Sequence, residues 1–261
     1  MEYDLLAVVI FVCGALLLLR VPAAVRQRGR GLLLAGFLAV GSFVLVSPDV
    51  YAGLDAMLPG VNSLDPVAKA LLSLAFLLLG DQVVSNGQHP VLSELLGGRT
   101  GRWVLVCSLL LELCFFTAAK TSRSSPGLEA DVSSPLVALY SGTLMAYLSW
   151  VAILVLAGLA LDDRDYRRAR RTGVTHARPP MDVVALGLLV TGFGLVPVRL
   201  ILVLPTCLWP DSYGFAQALS ACALAAVALG LFSFWISRLL FKRGQGAIHM
   251  ADLLRSRTPL R

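Results

Sequence analysis

The chain has 261 residues, of which 57% are apolar and only 15% charged, and its mean hydropathy is +0.78. Soluble domains carry about a quarter charged residues, and the apolar excess here is gathered into runs that approach the length of a bilayer span. These figures exclude a soluble globular enzyme, a disulfide-stapled secreted domain and a disordered chain, and they make the net charge of +6 the basic bias of a membrane protein rather than a nucleic-acid footprint.

Seven apolar runs predict seven transmembrane helices, at about 4–20, 31–47, 67–85, 103–119, 135–161, 182–206 and 214–238. The runs are nearly continuous, whereas barrel strands would alternate over ~10 residues. The fold class is therefore an all-α bundle, because a helix satisfies every backbone group inside its own segment. The first run opens on Glu2 and Asp4 and closes at Arg20. A cleavable signal would open basic and end at small residues, so this run is kept as a span.

After the second run, Ser47-Pro48 has the form of a helix N-cap followed by proline at the first helical position. Val50, Tyr51, Leu54, Met57 and Leu58 then share one face, and Pro59-Gly60 ends the segment. Two readings are open: a short helix lying on the outer surface, or a plain surface loop. The third run is the weakest, bracketed by Lys69 and Asp81. Lys69 reads as an outer flank, and Asp81 and Gln82 as inner-end polar groups.

The fourth run carries Glu112 near its middle, in "VCSLLLELCFF", and the sixth carries Arg199, in "GLVPVRLILVLP". Ionisable groups in hydrocarbon are costly and mark function by default. Both lie roughly 10–12 Å below the outer edge at ~1.5 Å per residue, a depth that predicts a direct ion pair. In the fifth run Tyr140, Thr143, Tyr147 and Trp150 fall on one helical face, and the short hairpin before it makes runs four and five antiparallel neighbours. Glu112, Arg199, Thr143, Tyr147 and Tyr140 form the candidate ligand-binding set. A structural ion pair and interhelical hydrogen bonding are the competing reading. The sixth run also holds Gly187, Gly192, Gly194, Pro197 and Pro205, residues that permit close packing and interrupt a helix.

Orientation follows from basic residues. With the N-terminus outside, 18 of the 22 Lys and Arg lie on the inner side, three outside (Lys69, Lys120, Arg123) and one, Arg199, within a span. That bias sets topology and places the C-terminus inside. Residues 1–241 form the seven-helix transmembrane domain and 242–261 a basic cytoplasmic tail. The inner loop "LDDRDYRRARR" reads as a solvated loop in which arginines partner Asp162, Asp163 and Asp165, and which can touch anionic lipid. The five cysteines read as small hydrophobes buried within spans. His89, His176 and His249 are scattered in inner segments without metal spacing, and no cofactor, metal, phosphate-loop or nucleophile motif is found.

The seven-helix pattern, the first inner loop "RVPAAVRQRGRG" and above all "SPDVYAGLDAMLPGVNSLDPVAKALLSLAFLL" resemble a family of actinobacterial seven-helix integral membrane proteins described as transporters. The resemblance covers mainly residues 1–90, with Leu-Pro-Gly-Val-Asn at 58–62 its most specific piece, and implies no catalytic residue. Many members continue into a cytosolic domain after the last helix; here about 20 residues follow the last expected helix. The expected function is thus a multi-pass protein of a bacterial plasma membrane that transports or binds a small solute without enzymatic chemistry. Its partners would be the lipid bilayer and no nucleic acid. The alternative is a scaffold or signalling partner that docks a cytosolic or membrane protein through its basic loops and tail. An intramembrane enzyme using Glu112 is the least favoured.

Overall fold

A computed structural model of the chain describes residues 30–58, 61–86, 89–120, 133–172, 180–202, 214–216 and 218–233, with positions 14, 15, 125, 128, 131, 236 and 237. Apart from residues 14 and 15, the expected first span lies outside the described residues, as do the basic residues of the first loop before Arg30, the loop at 173–179 and the tail at 242–261. Among the described residues the ordered elements are helices, with no strand.

The helices are α1 (Arg30–Val46), α2 (Pro48–Asp55), α3 (Leu64–Asn86), α4 (Pro90–Gly97), α5 (Arg99–Ala119), α6 (Pro135–Arg171) and α7 (Pro180–Ile201), followed by α8 (Gly214–Ser233). Five segments are long and apolar enough to cross a membrane: α3, α4 with α5, α6, α7 and α8. The apolar stretch of α1, Gly31–Val46, is shorter. The protein is an integral membrane protein by this pattern, and α5 makes the argument most directly. Its buried residues are Gly101, Ser108 and Glu112, while Trp103, Val106, Leu110, Leu111 and Leu113 are exposed. A helix that turns its polar groups inward and its leucines outward has lipid as its solvent.

Contacts fix the directions. Ser42 of α1 donates to the Ala68 carbonyl of α3 at 2.7 Å, and Gly31 faces Gln82, so α1 and α3 are antiparallel. Tyr140 meets Asp65 and Val151 meets Gly80, so α6 runs parallel to α3. α5 packs antiparallel to α6, with Phe116 and Tyr140 rings 5.7 Å apart. The core joins Ala35, Leu79, Val84, Leu96, Tyr147, Val151, Val155, Leu189, Phe193 and Val227. One end of the bundle gathers Arg30, Arg99, Arg102 and the arginines of α6 beyond residue 163; the other holds α2, Lys120 and the start of α6.

Three sequence expectations change. The fifth span was expected at 135–161, but α6 runs 37 residues to Arg171, about 55 Å at ~1.5 Å per residue, well beyond a hydrocarbon core of about 30 Å. Its charged end stays helical because Asp163 pairs with Arg167 at 2.6 Å and Asp165 with Arg168 at 3.9 Å, at helical spacing, and Arg168, Arg170 and Arg171 complement the last-turn carbonyls. Asp162 instead meets His89 at 2.9 Å, so His89 is not an isolated loop histidine. Cys107, Cys114 and Cys222 are free and exposed on the bundle surface rather than buried, since apolar residues gain nothing from hiding in a lipid solvent; Cys13 and Cys207 lie outside the described residues.

Two glycines allow helices to touch. A Cβ at Gly101 would overlap the Leu96 carbonyl, so the tight corner between α4 and α5 depends on its absence. A Cβ at Gly192 would lie 2.6 Å from Val227 Cγ2 and 2.9 Å from the Ala223 carbonyl, whereas one at Gly187 would meet nothing within 4 Å. Gly192→Ala is expected to push α7 from α8 and cost about 1–3 kcal/mol, with Gly187→Ala close to neutral. Detergent titration of unfolding checks the pair, and equal effects at the two sites contradict the crossing.

Candidate functional site

The site is built from the start of α3. Asp65 lies in the first turn of α3 and Lys69 one turn later, and the ammonium sits 3.2 Å from Asp65 Oδ2 at i,i+4 spacing. Tyr140, from the second turn of α6, donates its O–H to the same oxygen at 2.7 Å. Its ring also receives the lysine: Lys69 Nζ lies 3.4 Å from the ring centroid, a cation–π contact that strengthens when water is excluded. Asp65 and Tyr140 are essentially inaccessible. The sequence reading placed Lys69 on the outer flank. Its ammonium is instead buried in the bundle, because Asp65, Tyr140 and the neighbouring helices supply what water would have supplied.

Two further charges act on this pair. Glu112, on the inward face of α5, and Arg199, on α7, are both within electrostatic range of Lys69. Glu112 accepts a hydrogen bond from Ser108 Oγ at 3.4 Å and is only 3% exposed. Among the described residues no ion pair joins Glu112 directly to Arg199; Lys69, from the third span, stands as the charge that both of them feel. Asp65, Lys69, Glu112 and Arg199, drawn from α3, α5 and α7, are thus related through Lys69.

Of the aromatic stripe, Tyr140 enters the cluster directly. Tyr147 is buried beside Trp150, with ring centroids 6.1 Å apart, and its hydroxyl is within the field of Glu112. That hydroxyl has no hydrogen-bond partner among the described residues. Thr143 is not brought in: its hydroxyl donates to the Leu139 carbonyl of its own helix at 2.9 Å, the usual behaviour of a threonine in mid-helix.

The loop that delivers Asp65 is held by groups the sequence reading did not single out. Of the two readings open for this segment, α2 takes the helical one, with Ser47 at its N-cap position and Pro48 at the first turn. Its inward residues, however, are Tyr51 and Asp55, while Leu54, Met57 and Leu58 are exposed. The Asp55 carboxylate accepts the backbone N–H of Asn62 at 2.9 Å and of Leu64 at 3.2 Å. Asn62 adopts φ 60°, a left-handed conformation that asparagine tolerates better than most residues. Its Oδ1 accepts both the Tyr51 hydroxyl at 2.9 Å and the Ser125 backbone N–H at 2.7 Å. Burial, then the charges of Asp65 and Asp55, hold the Tyr51 phenol well above its ordinary pKa, so it remains a neutral donor. The available signal was the i,i+4 spacing of Tyr51 with Asp55 and of Asp65 with Lys69.

Among the described residues no group of His, Cys, Asp and Glu is placed to hold a metal ion. Compared with family models, curated proteins and solved structures, the chain matches none.

Proposed function

We propose that this chain binds and transports a small charged solute through the bundle, using the cluster around Lys69. The observation that carries the reading is the number of charges: Asp65 and Lys69 already neutralise one another, yet Glu112 and Arg199 also lie within electrostatic range of Lys69. A structural pair needs no second pair, and each intramembrane charge is costly. A cluster of balanced sign matches a solute carrying both signs, so the substrate class is a small zwitterion such as an amino acid. Its carboxylate would face Lys69 and Arg199, and its ammonium Glu112 and the Tyr147 hydroxyl. The reading includes seven crossings with the N-terminus outside, a bacterial plasma membrane, and kinship with the actinobacterial family, all supported by the arginine distribution and residues 47–78.

The test is counterflow of a mixture of radiolabelled L-amino acids into phosphatidylcholine vesicles holding the full chain. Uptake above protein-free vesicles is expected, and Glu112→Gln should lower it about 30-fold, the loss of one charged hydrogen bond of about 2 kcal/mol. No amino acid exceeding the protein-free control rejects the substrate class. The second reading, a docking scaffold, draws on one specific feature, the basic end of α6 that continues beyond a bilayer's thickness. It would leave Glu112→Gln without effect and make Arg167 and Arg168 the sensitive positions.

A further inference from the structure

We propose that the corner between α4 and α5 is a binding site for one anionic phospholipid with a hydroxylated headgroup. An open groove of about 650 Å³ lies there, lined by Glu94, Gly98, Arg99, Arg102, Trp103 and Val106. It stands at the arginine-rich end of the bundle, where α5 begins, which is the level of the lipid headgroups for a span of 21 residues. Arg102 donates Nε–H to the Gly97 carbonyl at 3.3 Å, which sets its guanidinium at the groove while leaving its other donors to act outward. Glu94 Oε1 accepts the Arg99 backbone N–H at 3.2 Å, which fixes this carboxylate in the groove's lining.

The charges fit one lipid class. Two guanidiniums and one carboxylate give the groove a net charge of +1, which a phosphodiester monoanion neutralises. Guanidinium suits phosphate because its planar donors match two oxygens at once. Glu94 would accept from headgroup hydroxyls, as in phosphatidylglycerol. A zwitterionic phosphatidylethanolamine would leave the excess positive charge uncompensated. The acyl chains also have a path. Trp103, Val106, Leu110 and Leu113 are exposed and share one face of α5 at helical spacing, so an apolar stripe descends from the groove along the helix. Trp103, at its upper end, has the amphipathic ring favoured at membrane interfaces. The proposal rests on membrane embedding and is independent of the solute cluster.

The experiment is native mass spectrometry of the full chain in neutral detergent, offered equimolar phosphatidylglycerol, phosphatidylethanolamine and phosphatidylcholine. One phosphatidylglycerol retained per chain is expected. R99Q/R102Q should weaken retention about 30-fold, at roughly a fivefold share for each arginine near a membrane surface. R99K/R102K should keep most of it, which separates lost charge from misfolding. R167Q/R168Q, at the same end of the bundle but outside the groove's lining, should leave it unchanged. Free glycerol phosphate should not displace the lipid, since the stripe holds its chains. Equal retention of phosphatidylethanolamine, loss in R99K/R102K as deep as in R99Q/R102Q, an equal loss in R167Q/R168Q, or displacement by glycerol phosphate would each overturn the site.

Discussion

Lys69→Met is expected to destabilise the bundle by about 3–5 kcal/mol, the cost of leaving a buried partner charge uncompensated. Methionine preserves the length of the side chain and its contact with the Tyr140 ring, so the loss is mainly electrostatic. Asp65, 1% exposed, would keep only the Tyr140 hydroxyl of the two contacts that now offset its charge. Asp65→Asn/Lys69→Met should recover more than half of the loss, since a neutral amide can still accept from Tyr140 and no bare charge remains. Unfolding in mixed detergent micelles, run as a double-mutant cycle, measures this. An effect below about 1 kcal/mol for Lys69→Met, or strict additivity in the cycle, would show that Lys69 reaches water and that the cluster is not closed. Glu112→Gln, which leaves the Asp65–Lys69 pair in place, reports on the proposed solute step separately from this stability cycle.

What could be read from the sequence follows from what the lipid solvent imposes. Hydropathy marked α3, α5, α7, α8 and the start of α6 to within several residues, because a span must be apolar along its whole length whatever it packs against. It marked Glu112 for the same reason: a lone carboxylate stands out in "SLLLELCFF". Inward and outward faces were far less legible. Alternating polarity tells a soluble helix which side is buried, but in α5 the leucines and Cys107 face outward and Gly101, Ser108 and Glu112 inward. Lys69 was misplaced because a charge near the end of an apolar run is ordinarily a flank that reaches water. Only its spacing from Asp65 and the return of Tyr140, 75 residues later, make it a buried charge. The extension of α6 was hidden by its composition: ten residues rich in Asp and Arg resemble a loop until their i,i+3 and i,i+4 pairs are counted.

The arrangement also explains why a polar cluster can persist at this depth. Each acidic group near the end of α3 is held by donors from a different element: Asp65 by Tyr140 of α6, and Asp55 by the backbone that starts α3. Fixed donors take the place of water, so the carboxylates need no hydration shell and Lys69 finds a preformed negative partner.

Removing the Asp55 carboxylate tests that scaffold. Asp55 caps α3 from outside the helix: its two oxygens take the N–H groups of Asn62 and Leu64, and its negative charge faces a helix N-terminus, where it is stabilising. Asn62 and Leu64 are buried, so Asp55→Ala leaves two donors without water or acceptor. At about 1–3 kcal/mol for each unsatisfied group, a loss of about 3 kcal/mol or more is expected in thermal unfolding of the full chain. Asp55→Asn should cost less, since one amide oxygen can still accept. Asn62 supplies the companion test. Asn62→Gly keeps the left-handed φ of 60° but gives up the bonds from Tyr51 and Ser125, whereas Asn62→Val loses those bonds and adds backbone strain that a β-branched residue cannot relieve. The expected order of stability is therefore wild type, Asn62→Gly, Asn62→Val. If Asp55→Ala unfolds within about 1 kcal/mol of wild type, the loop is not what holds the first turn of α3, and the placement of Asp65 and Lys69 must then rest on α6 alone.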